Sequence, residues 1–229
     1  MNQMARARAA LFDLDGTLLD TAQDMAAALN VLLAEEDRAA LRLEVVRPLV
    51  SNGAMGLIRV AFPQFEVGSA EFESLRDRFL AHYRSALCVH TQLFPGFETV
   101  LATLEAHAVP WGIITNKAAW LTEPLLEALG LSTRAACVVS GDTLPERKPH
   151  PRPLLHAAAL IAMAPADCLY LGDALRDVQA ARAAGMVPLG ARFGYINSAD
   201  DPKNWPVAGW LDEPHELLSW LELSPQAVH

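Results

Sequence analysis

Short apolar runs alternate with amphipathic stretches along most of this chain. Amphipathic stretches, which favour helices, cover 97–107, 118–129, 151–163 and 174–184, and each precedes an apolar run that reads as a buried strand. This alternation predicts an α/β domain, a doubly wound parallel sheet with helices on both faces. A last weak strand at 208–211 and a C-terminal helix near 213–222 complete the pattern. The main predicted strands are Ala9–Phe12, Trp111–Ile114, Cys137–Val139, 168–171 and 187–189.

The first two predicted strands lie about a hundred residues apart, far more than a crossover connection needs. The intervening sequence carries two apolar stripes at helical spacing. We therefore expect a small all-helical insert over 20–92, with the core formed by 1–19 and 93–229. The stripes are Met25, Leu29, Leu32 and Leu33, then Phe72, Leu75, Phe79, Tyr83 and Leu87.

Composition narrows the functional classes. With 52% hydrophobic and 20% charged residues, the chain should be globular and soluble. Its formal charge of −9 argues against nucleic-acid binding, and no apolar run reaches membrane-spanning length. Arg6 and Arg8 precede only four apolar residues before Asp13, so we do not expect this segment to act as a signal peptide. Three widely spaced cysteines without metal-ligand spacing are expected to be buried in a reducing, cytoplasmic compartment.

The end of the first predicted strand carries the strongest chemical signal. Asp13 and Asp15 follow it directly, two residues apart. Ligands of open α/β sheets bind at the carboxyl ends of strands. Two carboxylates there could serve one site, one attacking phosphorus while the other handles protons. An Asp-Gly turn is the ordinary alternative.

Other predicted strands also end in polar residues. Thr115 and Asn116 follow the second strand, Lys148 follows the third, and Asp173 with Asp177 follows the fourth. Each has an ordinary alternative: a strand-end cap, a loop lysine, a helix N-cap, or a helix-surface acid. In a parallel sheet these ends share one edge, and together they suit phosphoryl transfer, which needs positioning and charge neutralisation.

In this order the motifs resemble those of the haloacid-dehalogenase superfamily of phosphohydrolases, and its phosphoglycolate-phosphatase-like branch. The resemblance spans residues 13–177. It implies a Rossmann-like core with a helical cap inserted after the first strand. The motifs are Asp13-Leu14-Asp15-Gly16-Thr17, Thr115-Asn116, Lys148-Pro149 and Gly172-Asp173-Ala174-Leu175-Arg176-Asp177.

The resemblance implies a role for each catalytic residue. Asp13 attacks phosphorus and becomes an aspartyl-phosphate, while Asp15 protonates the leaving oxygen and later deprotonates water. Thr115 and the Asn116 amide hold phosphoryl oxygens. Lys148 neutralises charge on Asp13 and the phosphoryl group.

The resemblance also implies Mg²⁺, held by Asp13, the Asp15 backbone carbonyl and Asp173, with Asp177 helping directly or through water. Oxygen ligands are those that Mg²⁺ prefers. Because dehalogenation needs neither a leaving-group acid nor a metal, Asp15 and the later aspartates favour phosphate esters. A phosphosugar mutase would share the same core, and a receiver-like phospho-acceptor module is the non-enzymatic alternative.

Finer sequence runs are similar to the branch containing N-acetylmuramic acid 6-phosphate phosphatases of cell-wall recycling, enzymes often labelled phosphoglycolate phosphatases. The partner is then a small phosphorylated metabolite, and the protein a monomer or weak homodimer. Roles for Arg47, His150 and the loop around Trp205 stay open. The runs include Thr115-Asn116-Lys117, Lys148-Pro149-His150-Pro151, Phe193-Gly194-Tyr195 and Asn204-Trp205-Pro206.

The predicted insert contains one candidate substrate-binding segment, Ser51-Asn52-Gly53. It reads as a loop entering a helix N-terminus, whose N–H groups can bind an anion or a hydroxyl. Ordinary N-capping by Ser51 or Asn52 is the alternative. We expect this segment to contribute to substrate choice.

Overall fold

The computed structural model describes residues 7–197 and 201–223, so Arg6 lies outside the described residues. The chain divides into two compact units. One contains Asp20–Gln92, and the other contains the sequence on both sides of it.

The larger unit is built on a parallel sheet of six strands among the described residues, in the order β5-β4-β1-β6-β7-β8. This confirms the predicted α/β class. Its strands are β1 (Ala9–Phe12), β4 (Trp111–Ile114), β5 (Cys137–Val139), β6 (Cys168–Gly172), β7 (Val187–Ala191) and β8 (Gly209–Leu211). Its helices are α5 (Phe97–Ala106), α6 (Ala119–Ala128), α7 (Arg152–Leu160), α8 (Leu175–Ala184) and α9 (Leu217–Trp220).

Alternating side chains of the central strand β1 pack against different helices. Leu11 joins an apolar cluster that includes Leu154 of α7 and Ala181 of α8. The next residue, Phe12, contacts Phe97 of α5 edge-on, with ring centroids 5.5 Å apart. Because side chains alternate between sheet faces, β1 is buried on both sides, which explains its uninterrupted apolar sequence.

The strand register brings the polar residues after β1, β4 and β6 to one edge. Phe12 is level with Ile113 on β4 and with Leu171 on β6. The Asp13 N–H then donates to the Leu171 carbonyl at 2.9 Å. Asp13 is thus the first residue after the paired part of β1. The residues that follow Ile114 on β4 and Gly172 on β6 lie beside it.

Two short strands mark the passages between the units. They are β2 (Leu19–Asp20) and β3 (Gln92–Leu93), which pair with each other. In the larger unit, the Phe94 N–H donates to the Leu18 carbonyl at 3.1 Å. The chain therefore leaves and re-enters this unit at adjacent points.

The smaller unit is helical, and the predicted stripes form its core. Met25, Leu29, Leu32 and Leu33 are buried on one helix, and Phe72, Leu75, Phe79 and Tyr83 on another. Leu87 is buried but follows the end of its helix at Ser85. The helices are α1 (Ala22–Glu35), α2 (Leu43–Val46), α3 (Gly53–Ala61) and α4 (Ala70–Ser85), with a 3₁₀ helix at Arg47–Asn52.

Some predicted boundaries are wrong. The helix predicted at 151–163 ends at Leu160, because Ala162 adopts a positive φ of 54°. The helix predicted near 213–222 is a 3₁₀ turn at Pro214–Glu216 followed by the four-residue α9. Both sites show how turn geometry ends a helix where the apolar pattern would continue it.

None of the helices in the described part of the chain is both long and apolar enough to span a membrane. Cys137 and Cys168 are buried as predicted, and burial raises the pKa of their thiols to about 12 and about 11. Cys88 is only partly buried. All three are free thiols.

A buried carboxylate ties the start of α1 to the end of the helical unit. Asp24 is 3% exposed and accepts hydrogen bonds from the backbone N–H groups of Val89, His90 and Thr91, at 2.8–3.1 Å. The Thr91 hydroxyl also donates to Asp24, at 2.7 Å. These donors compensate the buried charge and fix segment 89–91 against α1.

We predict that Asp24→Ala lowers the free energy of unfolding by about 2–4 kcal/mol, because several buried donors lose their acceptor. Urea denaturation of the full chain measures this. Asp77→Ala is the matched control, since Asp77 pairs with Arg76 at the surface and should cost less than about 1 kcal/mol. Equal losses for the two variants would contradict the assignment.

Candidate active site

Asp13 lies at the centre of the polar edge, with its carboxylate contacts on one oxygen. It is 3% exposed. Its Oδ1 accepts from the Leu14 N–H at 2.7 Å and lies 2.8 Å from Lys148 Nζ. Both of these contacts with described residues involve Oδ1 rather than Oδ2.

Lys148 is a buried cation that joins several elements. Its Nζ also lies 2.8 Å from Asp177 Oδ1, donates to the Ile114 carbonyl at 2.9 Å, and donates to the Tyr170 hydroxyl at 2.8 Å. Its side chain has no exposed surface. Lys148 is thus not a solvated loop lysine, the alternative that the sequence left open.

Asp177 is fully buried, which rules out the alternative of a helix-surface acid. Besides contacting Lys148, it accepts from the Ala174 N–H through Oδ2, at 3.1 Å. Gly172 makes room for it, since a Cβ there would collide with the Asp177 side chain. Asp177 therefore caps α8 while balancing the charge of Lys148.

Asp173 precedes the N-cap of α8, Ala174, so the N-cap alternative for Asp173 is also wrong. Its Oδ1 accepts from the Thr17 hydroxyl at 3.2 Å, and its Oδ2 from the Tyr195 N–H at 2.9 Å. Gly16 has a φ of +84°, and a Cβ there would collide with the Asp173 carboxylate. Close approach of backbone to carboxylate therefore requires glycine at position 16.

Burial and the neighbouring negative charges perturb the pKa of Asp13. Burial, and then repulsion from Asp177, raise its pKa from 3.8 to about 7, while Lys148 and Arg176 act in the opposite direction. The carboxylate is therefore held in an environment that disfavours its charge in the metal-free chain. Such perturbed groups are common at functional sites.

Three of these carboxylates could hold a cation. One oxygen each from Asp13, Asp173 and Asp177 lies within 4.8 Å of the others, and all three residues are buried. Lys148 and Arg176 supply two positive charges near three carboxylates. The remaining negative charge and the all-oxygen donors fit a hard divalent cation.

Asp15 contacts a second lysine. Its Oδ1 lies 2.8 Å from Lys117 Nζ, with the lysine side chain 5% exposed and the aspartate 17% exposed. The two carboxylates predicted for catalysis therefore each carry an ammonium partner.

Thr115 and Asn116 follow β4 at the same edge. The Thr115 hydroxyl accepts from the Lys117 N–H at 3.1 Å. The Asn116 side chain accepts from the Lys148 N–H at 3.1 Å and donates to the Lys148 carbonyl at 3.0 Å. Because its side chain fixes Lys148, any phosphate contact from Asn116 falls to its backbone N–H.

The segment Ser51-Asn52-Gly53 lies in the helical unit, and its predicted loop form is wrong. Ser51 and Asn52 end the 3₁₀ helix that begins at Arg47, and α3 starts immediately at Gly53. Gly53, with a φ of +65°, makes the change of direction. Asn52 is the N-cap of α3, without a capping hydrogen bond from its side chain to a described residue. Arg47, whose role was open, pairs with Asp20 at 2.9 Å.

Sequence reasoning missed four residues that build the site: Thr17, Lys117, Tyr170 and Tyr195. Tyr170 reads as one more apolar position of β6, yet its hydroxyl donates to the Ile114 carbonyl at 2.9 Å. Thr17, Lys117 and Tyr195 stand inside motif runs, so a signal existed for them. Tyr195 acts through its backbone N–H, which no side-chain pattern reveals.

Comparison with known proteins places the chain in a family. The sequence model of the haloacid dehalogenase-like hydrolase family matches residues 10–191 of this chain. A phosphoglycolate phosphatase of Xylella fastidiosa is 45% identical over 218 residues, covering 95% of this chain and 94% of the relative. An N-acetylmuramic acid 6-phosphate phosphatase of Pseudomonas putida is 39% identical over 212 residues, covering 93% and 95%.

The fold has solved counterparts. A crystal structure titled "predicted phosphoglycolate phosphatase", from Haemophilus somnus, superposes with a TM-score of 0.81 at 27% identity, covering 94% of this chain and 98% of that one. The resemblance carried by the four motifs is thereby confirmed. The chain belongs to the haloacid dehalogenase-like hydrolase family.

Proposed function

We propose that this chain is a Mg²⁺-dependent phosphatase that hydrolyses a small phosphate monoester through an aspartyl-phosphate. The observation that carries the proposal is the buried group of Asp13, Asp173 and Asp177, of which Asp13 and Asp177 contact Lys148, with the Asp15–Lys117 pair at the same sheet edge. Phosphoryl transfer requires such positioning and charge neutralisation. The phosphatase names of the relatives support it.

In the first half-reaction, the Asp13 carboxylate attacks phosphorus and the bond from phosphorus to the leaving oxygen breaks. Asp15 gives its proton to that oxygen, so the alcohol departs neutral. Lys148 balances charge on Asp13 and the phosphoryl group, while Thr115 and the Asn116 N–H bind phosphoryl oxygens.

In the second half-reaction, water attacks the aspartyl-phosphate. Asp15, now a carboxylate, takes a proton from the water while the oxygen of that water bonds to phosphorus. The bond between Asp13 and phosphorus breaks, which releases inorganic phosphate and regenerates the Asp13 carboxylate. A mutase would instead return the phosphoryl group to a sugar, so phosphate release separates the two activities.

The metal site would be formed by Asp13, Asp173 and the Asp15 backbone carbonyl, with Asp177 nearby. When bound, Mg²⁺ would neutralise the phosphoryl charge as a Lewis acid. The three buried carboxylates support this assignment, because their charge exceeds that of the neighbouring cations.

For the substrate, we propose N-acetylmuramic acid 6-phosphate or a similar sugar phosphate. The sequence runs shared with that branch and the relative at 39% identity support it. Phosphoglycolate is the second candidate, because relatives at 45% identity carry that name. The protein would act in the cytoplasm, in cell-wall recycling, as a monomer or weak homodimer.

The test of the function is phosphate release from p-nitrophenyl phosphate, N-acetylmuramic acid 6-phosphate and 2-phosphoglycolate, with Mg²⁺ and with EDTA. We expect Mg²⁺-dependent release and a preference for the sugar phosphate. Phosphate release that EDTA does not reduce would contradict the metal assignment. A preference for 2-phosphoglycolate would favour phosphoglycolate as the substrate.

We predict that Asp13→Asn lowers turnover at least about a thousandfold with the fold intact, since the amide is nearly isosteric but cannot attack phosphorus. Phosphate release and circular dichroism measure the two effects. Retention of more than a small fraction of activity would exclude Asp13 as the nucleophile.

The same variant should be more stable than the parent chain in EDTA, in a pH-dependent way. Because folding raises the pKa of Asp13 to about 7, its ionisation destabilises the fold increasingly as pH rises from about 4 to above 7. We expect the gain at pH 8 to exceed the gain at pH 4.5 by at least about 1 kcal/mol. Thermal melts at the two pH values measure it, and a gain that does not depend on pH would contradict the charge explanation.

We predict that Asp173→Ala raises the Mg²⁺ concentration needed for half-maximal activity at least tenfold, because a direct ligand is lost. Asp212→Ala, at an exposed pair with Arg192, should leave it unchanged. Ca²⁺ should bind but inhibit, since its larger and looser coordination disturbs in-line geometry. An unchanged Mg²⁺ requirement in Asp173→Ala would remove Asp173 from the ligand set.

We predict that Asn52→Ala changes the ratio of kcat/KM between N-acetylmuramic acid 6-phosphate and p-nitrophenyl phosphate by about fivefold, the effect of one lost hydrogen bond. A bulky residue at Gly53 should lower kcat/KM most for the sugar phosphate. Lys148→Ala should lower kcat/KM by the same factor for both esters, because Lys148 acts on the phosphoryl group that they share. Glu71→Ala, at an exposed position of α4, is the control, and an equal loss of kcat/KM on both esters in Asn52→Ala would place specificity elsewhere.

A further inference from the structure

Lys117 is a buried cation to which the mechanism above gives no task. Only three of the chain's 18 Lys and Arg residues are lysines. One of them, Lys148, serves Asp13, while Lys117 reaches Asp15 Oδ1 at 2.8 Å with its side chain 5% exposed. A buried ammonium group loses its hydration, which only a well-placed partner offsets. The contact with Asp15 is therefore a built part of the site.

The backbone of Lys117 is held on both sides. Its N–H donates to the Thr115 hydroxyl at 3.1 Å. Its carbonyl accepts from the Gly141 N–H at 2.7 Å and from the Thr122 hydroxyl at 3.3 Å. The ammonium group is thus presented to Asp15 from a fixed point rather than from a flexible loop.

The contact with Lys117 restricts the orientation of the Asp15 carboxyl group. Oδ1 accepts a charge-assisted hydrogen bond from the buried ammonium group at 2.8 Å, and such bonds are shorter and stronger than those between neutral groups. We propose that Lys117 is a positioning residue that holds the Asp15 carboxyl group in the orientation from which it gives and takes the transferred proton. The proposal rests on the proposed function, in which Asp15 is the acid and base.

The protons balance across the two steps. As the leaving oxygen separates from phosphorus, the proton of the Asp15 carboxyl group moves to it, and the resulting carboxylate keeps its contact with Lys117. When water attacks the aspartyl-phosphate, one proton of that water passes to Asp15. Lys117 itself neither gains nor loses a proton in either step.

This role predicts a dependence on the leaving group that a merely structural ion pair would not produce. An alkoxide must be protonated as it departs, whereas p-nitrophenolate departs without a proton. The parameter kcat/KM covers the steps up to alcohol release, so it isolates the step in which Asp15 acts as an acid.

The experiment compares Lys117→Met with Lys203→Met, an exposed lysine in the same unit. The substrates are p-nitrophenyl phosphate and the faster alkyl ester of the pair N-acetylmuramic acid 6-phosphate and 2-phosphoglycolate. We expect Lys117→Met to lower kcat/KM about a hundredfold for the alkyl ester and less than about fivefold for the aryl ester. Lys203→Met should change neither. Lys117→Arg, which keeps a cationic donor, should recover part of the alkyl-ester rate.

A double-variant comparison tests whether Lys117 acts through Asp15. In an Asp15→Asn background, Lys117→Met should no longer change the alkyl-to-aryl ratio, because no proton remains to be positioned. The same change in that background, or equal losses on both esters in the parent chain, would overturn the proposal. If Lys117→Met fails to fold by circular dichroism, Lys117→Gln is measured in its place, with the same criteria.

The two levels of the proposal fail in different ways. If the parent chain with Mg²⁺ releases phosphate from neither ester, the proposed function fails, and the role of Lys117 fails with it. If the parent chain is active and Asp13→Asn is not, but Lys117→Met lowers both esters alike, only the positioning role is wrong.

Discussion

The ion pairs and hydrogen bonds of the buried Lys148 ammonium group are the interactions on which the polar edge of the sheet depends. The ammonium nitrogen lies 2.8 Å from both Asp13 and Asp177 and also donates to the Ile114 carbonyl and the Tyr170 hydroxyl. One cation thus joins the residue that follows β1, the last residue of β4, the interior of β6, and the start of α8. Without this cation, the neighbouring carboxylates would be buried with too little positive charge. An uncompensated buried charge destabilises a fold by several kcal/mol.

The segment Thr115-Asn116-Lys117 shapes the surroundings of the two carboxylates that we propose as catalytic. Its asparagine side chain fixes the Lys148 backbone, and so the cation beside Asp13. Its lysine contacts Asp15 directly. Three consecutive residues after β4 therefore control the surroundings of both the proposed nucleophile and the proposed acid, which are themselves only two positions apart.

The sequence predicted features set by burial and chain order, and missed those set by local geometry. Apolar runs such as Trp111–Ile114 revealed the strands, and a parallel sheet then required their polar ends to meet. The buried state of Asp177 was not predictable, because an acid four residues after Asp173 is equally typical of a solvated helix face. The backbone contact of Tyr195 and the 3₁₀ turn before Gly53 depend on dihedral angles that no periodicity encodes.

The pairing of the Phe94 N–H with the Leu18 carbonyl has an evolutionary consequence. Because the 73 residues of Asp20–Gln92 begin and end at neighbouring points, a short turn could close the same gap with only a small change in loop entropy. The insert is therefore exchangeable: a descendant could lengthen, shorten or replace it while the sheet and its carboxylates keep their order. Insertions and deletions between these two joints would leave the strand order and the polar edge of the larger unit unchanged.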